Sequence, residues 1–542
     1  MQENSNLSVL VVDPNPGMRG SLQSMLNQAG IGKIDYAVSS STAIRQLSHK
    51  SYDIILCEYD LGGSAGDGQD GQQLLEDLRH HRLIGLWSIF IMLTSEGVYS
   101  KVVSAAELTP TDYILKPFTV EMLSGRIGRA IERRAIFLPT YQLIGEGKLR
   151  EAIRACEAAE ATHPRHALDF ARLRAELHVD LKEPADAEAL YRDVLAVRPL
   201  GWASLGLARA MYAQGRFDQA REVLEQLVHV NPRLMAAYDL LARCHEATGD
   251  QALSQRVLED AVGISPHMVR RLRKLGEVAF EAGDVAVAEK SFKQVVAKAR
   301  YSEFRDPEDH VKLVKALVKK GDPQQASGVI RDLERSLRGS PNVDACKAIS
   351  HALLNEAAGN AAAAVSDLQA AVNAVRASSG LSASLKVGLA KSCLAQGLDQ
   401  QASEVMLAAM NDSAQAVTPQ QAMGVFVEAG RPDLADGVGQ QLKAQAQILL
   451  GVADEKRNMG DVRGAVQSLL EALHIAPGNL QVMLAVAGGI LRQIDETGWD
   501  HPLAELCAAQ LEKIRATDAG HPRLAALVDE YNGAKRKYGM ST

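Results

Sequence analysis

Residues 52–60 read Y-D-I-I-L-C-E-Y-D, an apolar run that ends abruptly in carboxylates. Ile54, Ile55, Leu56 and Cys57 are continuous rather than alternating, the pattern of a central strand in a parallel sheet covered on both faces. Glu58 then stands at the carboxyl end of that strand, where open α/β sheets gather their ligands.

Outward from this strand the pattern repeats. Residues 7–12 (L-S-V-L-V-V) form a β-branched strand that ends at Asp13, and residues 18–27 carry Met18, Leu22, Met25 and Leu26 on one helical face, with Gly30 as the stop. A weak strand at 34–38 precedes a helix near 42–49, and a helix at 72–80 follows the central strand. A strand at 88–93, a helix around 98–107, a strand at 112–115 and a helix from Thr119 complete the series. Five strands alternating with five helices predict a doubly wound, five-stranded parallel sheet with right-handed crossovers. Such a sheet brings Asp13, Glu58, Thr94 and Lys116 to one edge. There carboxylates can hold a divalent cation, a hydroxyl can hydrogen-bond a phosphoryl oxygen and an ammonium can neutralise another. Lys116-Pro117 is an X-Pro step, where a cis peptide costs least.

These residues resemble the receiver domain of two-component response regulators, a flavodoxin-like fold, over residues 1–135. The family carries an acidic pair after the first strand, an aspartate phosphoacceptor after the third, Thr or Ser after the fourth and Lys-Pro after the fifth. Thr94 and Lys116-Pro117 match, Tyr113 matches the switch aromatic, and Asp13 supplies one acid. Two positions depart: Pro14 replaces the second acid, and Glu58 occupies the acceptor position. Magnesium, which wants near-octahedral oxygen ligation, is therefore expected weakly or not at all on Asp13 and Glu58. Glu also carries its carboxylate one methylene further out, and an error of about 1 Å in an in-line nucleophile matters by roughly two orders of magnitude. Glu58 reads either as a built-in mimic of the phosphorylated state or as one half of an ion pair with Lys116 in a silent scaffold. Residual phosphorylation, on Glu58 or on Asp60, is the third reading.

The following loop, residues 60–71 (D-L-G-G-S-A-G-D-G-Q-D-G), is long for this family. It contains a formal GxGxxG, but Asp67 and Asp70 would oppose a pyrophosphate, and the acidic ladder of an EF-hand is incomplete. It reads as a solvated loop. Residues 119–136 form one amphipathic pattern with Val120, Leu123, Ile127, Ile131 and Ala135 on a shared face, so a helix should run from this domain into the next without a flexible tether. Its Arg126, Arg129, Arg133 and Arg134 form a basic face, either solvated or open to an acidic partner.

From Gly147 a dyad recurs, Gly followed five positions later by Ala or Ser. Its glycines are 147, 215, 249, 283, 321, 359, 397, 430 and 460, and a copy without Gly lies near Pro184–Ala187. The interval is 34 residues from Gly215 to Gly249 and to Gly283, and 38 for the next three. A period of 34 is that of the tetratricopeptide repeat (TPR), and Tyr238, Leu241, Ala242, Gly249, Ser254, Leu258, Ala261 and Pro266 resemble its pattern. Pro164, Pro199, Pro232, Pro266 and Pro477 should end second helices. Residues 136–479 thus predict an all-α superhelical solenoid of about ten helix-turn-helix repeats, the 38-residue copies lengthening a helix by about one turn. Residues 480–542 read as a helical capping segment, because an end repeat has one face without a neighbour. The resemblance implies a concave partner-binding face, on which the repeat frame places Trp202, Arg209, Tyr212, Arg243, Arg270, Arg273, Phe280, Lys315 and Lys319. Interleaved cations and aromatics suit an acidic segment.

Composition sets bounds. The 542 residues carry Lys+Arg 59 against Asp+Glu 66, a net charge of -7 without long single-sign blocks, which argues against nucleic acid or anionic membrane as partners. The start has no signal-peptide pattern and no run reaches spanning length, so a soluble cytoplasmic chain without membrane insertion is expected. Six scattered cysteines read as small buried hydrophobes. There is no P-loop, HExxH, GxSxG or metal-spaced His/Cys cluster, and His245-Glu246 continues Ala-Thr-Gly, so no enzyme is expected. The reading is an atypical response-regulator adaptor without a cofactor, whose TPR arm binds a protein: a sensor kinase, another response regulator or a second copy of the chain. A constitutive TPR scaffold and a conventional phosphorylatable receiver are the alternatives.

Overall fold

The computed structural model describes residues 6–61, 70–95, 110–266, 268–299, 305–340, 342–377, 380–410, 417–518 and 520–538. The expected helix at 98–107 and most of the loop at 60–71 lie outside the described residues. The chain divides into two compact units, Met1–Leu337 and Arg338–Thr542.

In the first unit, β1 (Ser8–Val12), β2 (Lys33–Ala37), β3 (Ile54–Glu58), β4 (Ile89–Ser95) and β5 (Asp112–Lys116) form one parallel sheet in the order β2-β1-β3-β4-β5. Both faces are covered, which is why the strands read as continuous apolar runs. Leu10, Val12, Ile55, Cys57, Phe90 and Met92 pack on α2 (Ser40–Leu47) and α3 (Gly71–His80). Val9, Val11, Ile54, Leu56, Ile91 and Leu93 pack on α1 (Pro16–Gln28) and α4 (Val120–Gly145). The helices start where the local chemistry says they should. Asn15 caps α1 with Pro16 in its first turn, Thr119 caps α4, and Asp70 and Gln73 form a reciprocal capping box on α3.

Helix α4 belongs to two cores. Its first half buries Leu123, Ile127 and Ala130 against the sheet, and its second half puts Phe137 against Phe170, ring centroids 4.1 Å apart and nearly parallel. Pro139 lies inside the helix without ending it. Three arginines of the basic face are held internally: Arg126 on Asp112 at 2.8 Å, Arg133 on Asp169 at 3.1 Å and Arg134 on Asp53 at 3.1 Å. The face is therefore a set of braces rather than an open docking strip.

Thereafter helices alternate through the rest of the first unit. The nine dyad glycines all take left-handed φ angles between 72° and 87°, a conformation Gly adopts without strain. In the copy without Gly, Lys182 takes φ 64° instead. The partner small residues are buried to zero exposure from Ala152 through Ala402, because only a small side chain lets neighbouring helices approach there. Helices Leu149–Thr162, Pro184–Val197, Phe217–Val230 and Gln251–Ile264 each stop two residues before Pro164, Pro199, Pro232 and Pro266.

Two expectations need correction. The second helices of the 38-residue copies are not lengthened alike: Ala361–Ala377 has 17 residues against 14 in Gln251–Ile264, but Val285–Ala299 has 15 and Pro323–Ser336 has 14. In the second unit, Pro432–Asn458 is one helix of 27 residues where two shorter ones were expected. No Pro interrupts it after its first residue, and the Gly437, Gly439 and Gly451 positions tolerate helix. That unit ends with Leu480–Thr497, His501–Thr517 and Pro522–Lys537, packed through Val486, Ile490, Cys507, Ile514 and Leu527.

Candidate functional site

The parallel register brings the ends of β1, β3, β4 and β5 together. Asp13 follows β1 and is 1% exposed; its backbone N–H donates to Ala37 O at 3.0 Å, and its Oδ1 accepts from Asn15 N at 2.7 Å. Lys116, the last residue of β5, places its ammonium on Glu58 Oε2 and 3.5 Å from Asp13 Oδ2. The other Glu58 oxygen accepts from Asp60 N at 3.2 Å. The Lys116-Pro117 peptide is cis. Pro14 adds no side-chain oxygen.

Thr94 is fully buried, but its hydroxyl lies 3.4 Å from Ser95 O, so Glu58 is held by Lys116 and Asp60 N rather than by Thr94. Tyr113 is half-buried, opposite Met92 in the register, and packs on the sheet face shared with α2 and α3. Of the five expected pocket residues, then, Asp13, Glu58 and Lys116 form one charge cluster, while the Thr94 hydroxyl is directed at Ser95 O and Tyr113 packs on the sheet face.

Behind Glu58 the sheet edge is tied to α3. Gly71 N donates to Tyr59 O at 2.6 Å, and a Cβ at Gly71 would sit 2.6 Å from Glu58 O and 2.7 Å from Met92 Sδ. Burial pushes the Tyr59 phenol up to about 12 and raises the Asp70 carboxyl. Burial, then the neighbouring Glu58, pushes the Cys57 thiol up. All six cysteines are buried.

Along its length, from Gln73 in the first turn to His80 at the end, α3 meets the repeats. Gln73, 5% exposed, donates from Nε2 to Ser265 Oγ at 2.9 Å. Glu76, Arg79 and His80 line a cavity of about 640 Å³ whose other wall is helices Gly201–Ala213, Met235–Ala247 and Val269–Glu281. Four of the expected concave residues, Arg209, Arg243, Arg270 and Arg273, are on that wall. The other five are not. Trp202 sits beneath Arg172 at 5.4 Å, Tyr212 beneath Arg243 at 4.6 Å, and Phe280 beneath Lys315 and Lys319 at 4.9 and 4.6 Å.

Arg273, on that wall, also holds Asp309, 1% exposed, at 2.6 and 2.8 Å, because a carboxylate that deep needs a cation. The sequence reading missed the receiver-side wall altogether. Its signal was the run Arg79-His80-His81-Arg82 at the end of an amphipathic helix. Burial, followed by the positive neighbours His80, Arg270 and Arg273, brings His81 down to about 4; burial and Arg270 lower His80.

Known proteins divide the chain in the same way. Residues 9–128 match the response regulator receiver domain, and residues 143–201 and 201–244 match tetratricopeptide repeats. The chemotaxis protein CheY-3 of Vibrio cholerae is 25% identical over 130 residues, 24% of this chain and 95% of that protein. The chemotaxis protein CheY of Pseudomonas aeruginosa is 25% identical over 128 residues, 23% of this chain and 98% of that protein. Among solved structures, a receiver domain protein from Clostridium thermocellum has 22% identity and a TM-score of 0.21, covering 24% of this chain and 98% of its own. The C-terminal part of a TPR protein from Cytophaga hutchinsonii has 12% identity and a TM-score of 0.36, covering 44% and 94%. Among the described residues no helix is long and apolar enough to cross a membrane. The chain joins a response-regulator receiver domain to tetratricopeptide repeats.

Proposed function

We propose that the chain is an atypical response regulator acting as an adaptor: a pseudo-receiver that holds one state through Glu58, and a TPR arm that binds a protein partner. The observation that supports this most is the Lys116 ammonium shared by Glu58 and Asp13. An ammonium already neutralises the two carboxylates a divalent ion would use, and Pro14 offers no third, so the residues suit neither magnesium nor a metal-assisted phosphotransfer. The role is binding, not catalysis, and the partners that fit it are a sensor kinase, another response regulator or a second copy of the chain.

Incubation of the full chain with magnesium and acetyl phosphate tests the first half. Intact mass should stay unchanged, and stoichiometric phosphate on Glu58 or Asp60 would restore the conventional receiver. Glu58→Gln tests the second half on proteins captured by the immobilised full chain. A changed affinity supports a carboxylate that biases a two-state domain, and an unchanged one supports a constitutive scaffold, a reading favoured by both Glu58 oxygens already having partners.

A further inference from the structure

The crevice between α3 and the concave face of the repeats has an unbalanced set of charges. Some of its cations are neutralised within the fold: Arg271 by Asp239 at 2.8 Å, Arg273 by Asp309 at 2.6 Å and Lys274 by Glu246 at 2.6 Å. Arg79, Arg243 and Arg270 line the same crevice and have no ion pair among the described residues. Arg79 is the most telling. Its Nε is buried without a hydrogen-bond partner among the described residues, and burial lowers its guanidinium pKa against the opposing pull of Tyr141 and Glu176. A desolvated guanidinium left unpaired is costly, and an incoming carboxylate removes that cost. Burial first, and then the nearby Arg270, depress both histidines at the end of α3.

The opening is too large for a single small anion and has apolar surface beside the cations, from Ala236, Leu240 and Leu258. Charge and shape together call for an extended acidic peptide with apolar side chains between its carboxylates. We propose that this crevice is a composite binding site for an acidic segment of a protein partner, gripped at once by Arg79 of the receiver and by Arg243 and Arg270 of the repeats. The proposal rests on the reading that the repeats bind a protein, and adds that the receiver supplies part of the site. Since α3 is hydrogen-bonded to the residue after Glu58, the partner's affinity then depends on how the receiver is seated.

The test is fluorescence anisotropy of the full chain with a short fluorescein-labelled peptide in which Asp and Glu alternate with Leu. Arg79→Glu and Arg243→Glu should each weaken binding by about tenfold or more, as loss of a charge-assisted contact does. Lys513→Glu, exposed and in the second unit, should leave it unchanged. Arg79→Met serves as a second receiver-side variant, and circular dichroism checks that each variant folds. Loss of binding in Arg243→Glu with none in either Arg79 variant overturns the composite site while leaving partner binding by the repeats intact. Equal binding of a single-stranded oligonucleotide of the same charge overturns the peptide assignment, and no binding of the peptide by the unmodified chain overturns the inference as a whole. The capture experiment with the full chain decides the adaptor reading separately.

Discussion

The pocket at the sheet edge and the crevice at the end of α3 are both built from charged side chains, and they are opposite in kind. In the pocket, one ammonium serves two carboxylates, Asp13 is almost wholly buried and each Glu58 oxygen has a partner. In the crevice, Arg79, Arg243 and Arg270 stand beside cations that the fold itself neutralises. The first arrangement is closed and needs nothing from outside. The second is open. A site whose charges are mutually satisfied preserves a state, whereas an unbalanced one invites a ligand, and the chain places the two at opposite ends of one helix-sheet connection.

The largest effect should come from opening the closed site. Lys116→Met leaves Asp13 and Glu58 facing each other without a cation, at a cost of about 2–3 kcal/mol in urea unfolding, somewhat below that of a wholly buried pair. Adding Glu58→Gln to it should restore part of the loss. A double variant no more stable than Lys116→Met would mean that Glu58 is not under charge strain, and the closed description would fail.

Next comes a contrast inside the crevice. Arg271, 2% exposed and paired with Asp239, should cost about 2 kcal/mol as Arg271→Met, whereas Arg270→Met should change the free energy of unfolding by no more than about 0.5 kcal/mol. Equal losses at the two positions would erase the distinction between braces and open cations.

The smallest effect is one of pH. A histidine whose folded pKa is depressed binds its proton more readily in the unfolded chain, so its contribution is fully favourable above the ordinary value near 6.5 and declines as pH falls toward about 4. The urea midpoint should therefore drop between pH 7 and pH 5, and drop less in His81→Gln. An identical drop in that variant would mean that His81 carries none of this pH dependence.

Much of the fold was legible because its determinants are local. A continuous apolar run is a covered strand, a dyad glycine is a left-handed turn, and a proline two residues past a helix stops it. Even the missing glycine is readable in retrospect, since Lys182 takes the conformation the turn requires. The fused helix Pro432–Asn458 shows the limit: the dyads at Gly430 and Gly460 continue the series, 30 positions apart, but whether the chain turns between them depends on packing.

The sequence by itself determined the sheet, the solenoid's turns and the meeting of Asp13, Glu58 and Lys116, because parallel strand ends converge whatever the side chains do next. Only the tertiary structure decided that Thr94 turns its hydroxyl to Ser95, that Arg273 is taken up by Asp309, and that the receiver forms one wall of the crevice. Gln73 and Ser265 are separated by 192 positions along the chain, and no local pattern encodes a contact at that distance. The link between the two regions is α4, whose first half lies in the receiver core and whose second half lies in the core of the first repeat.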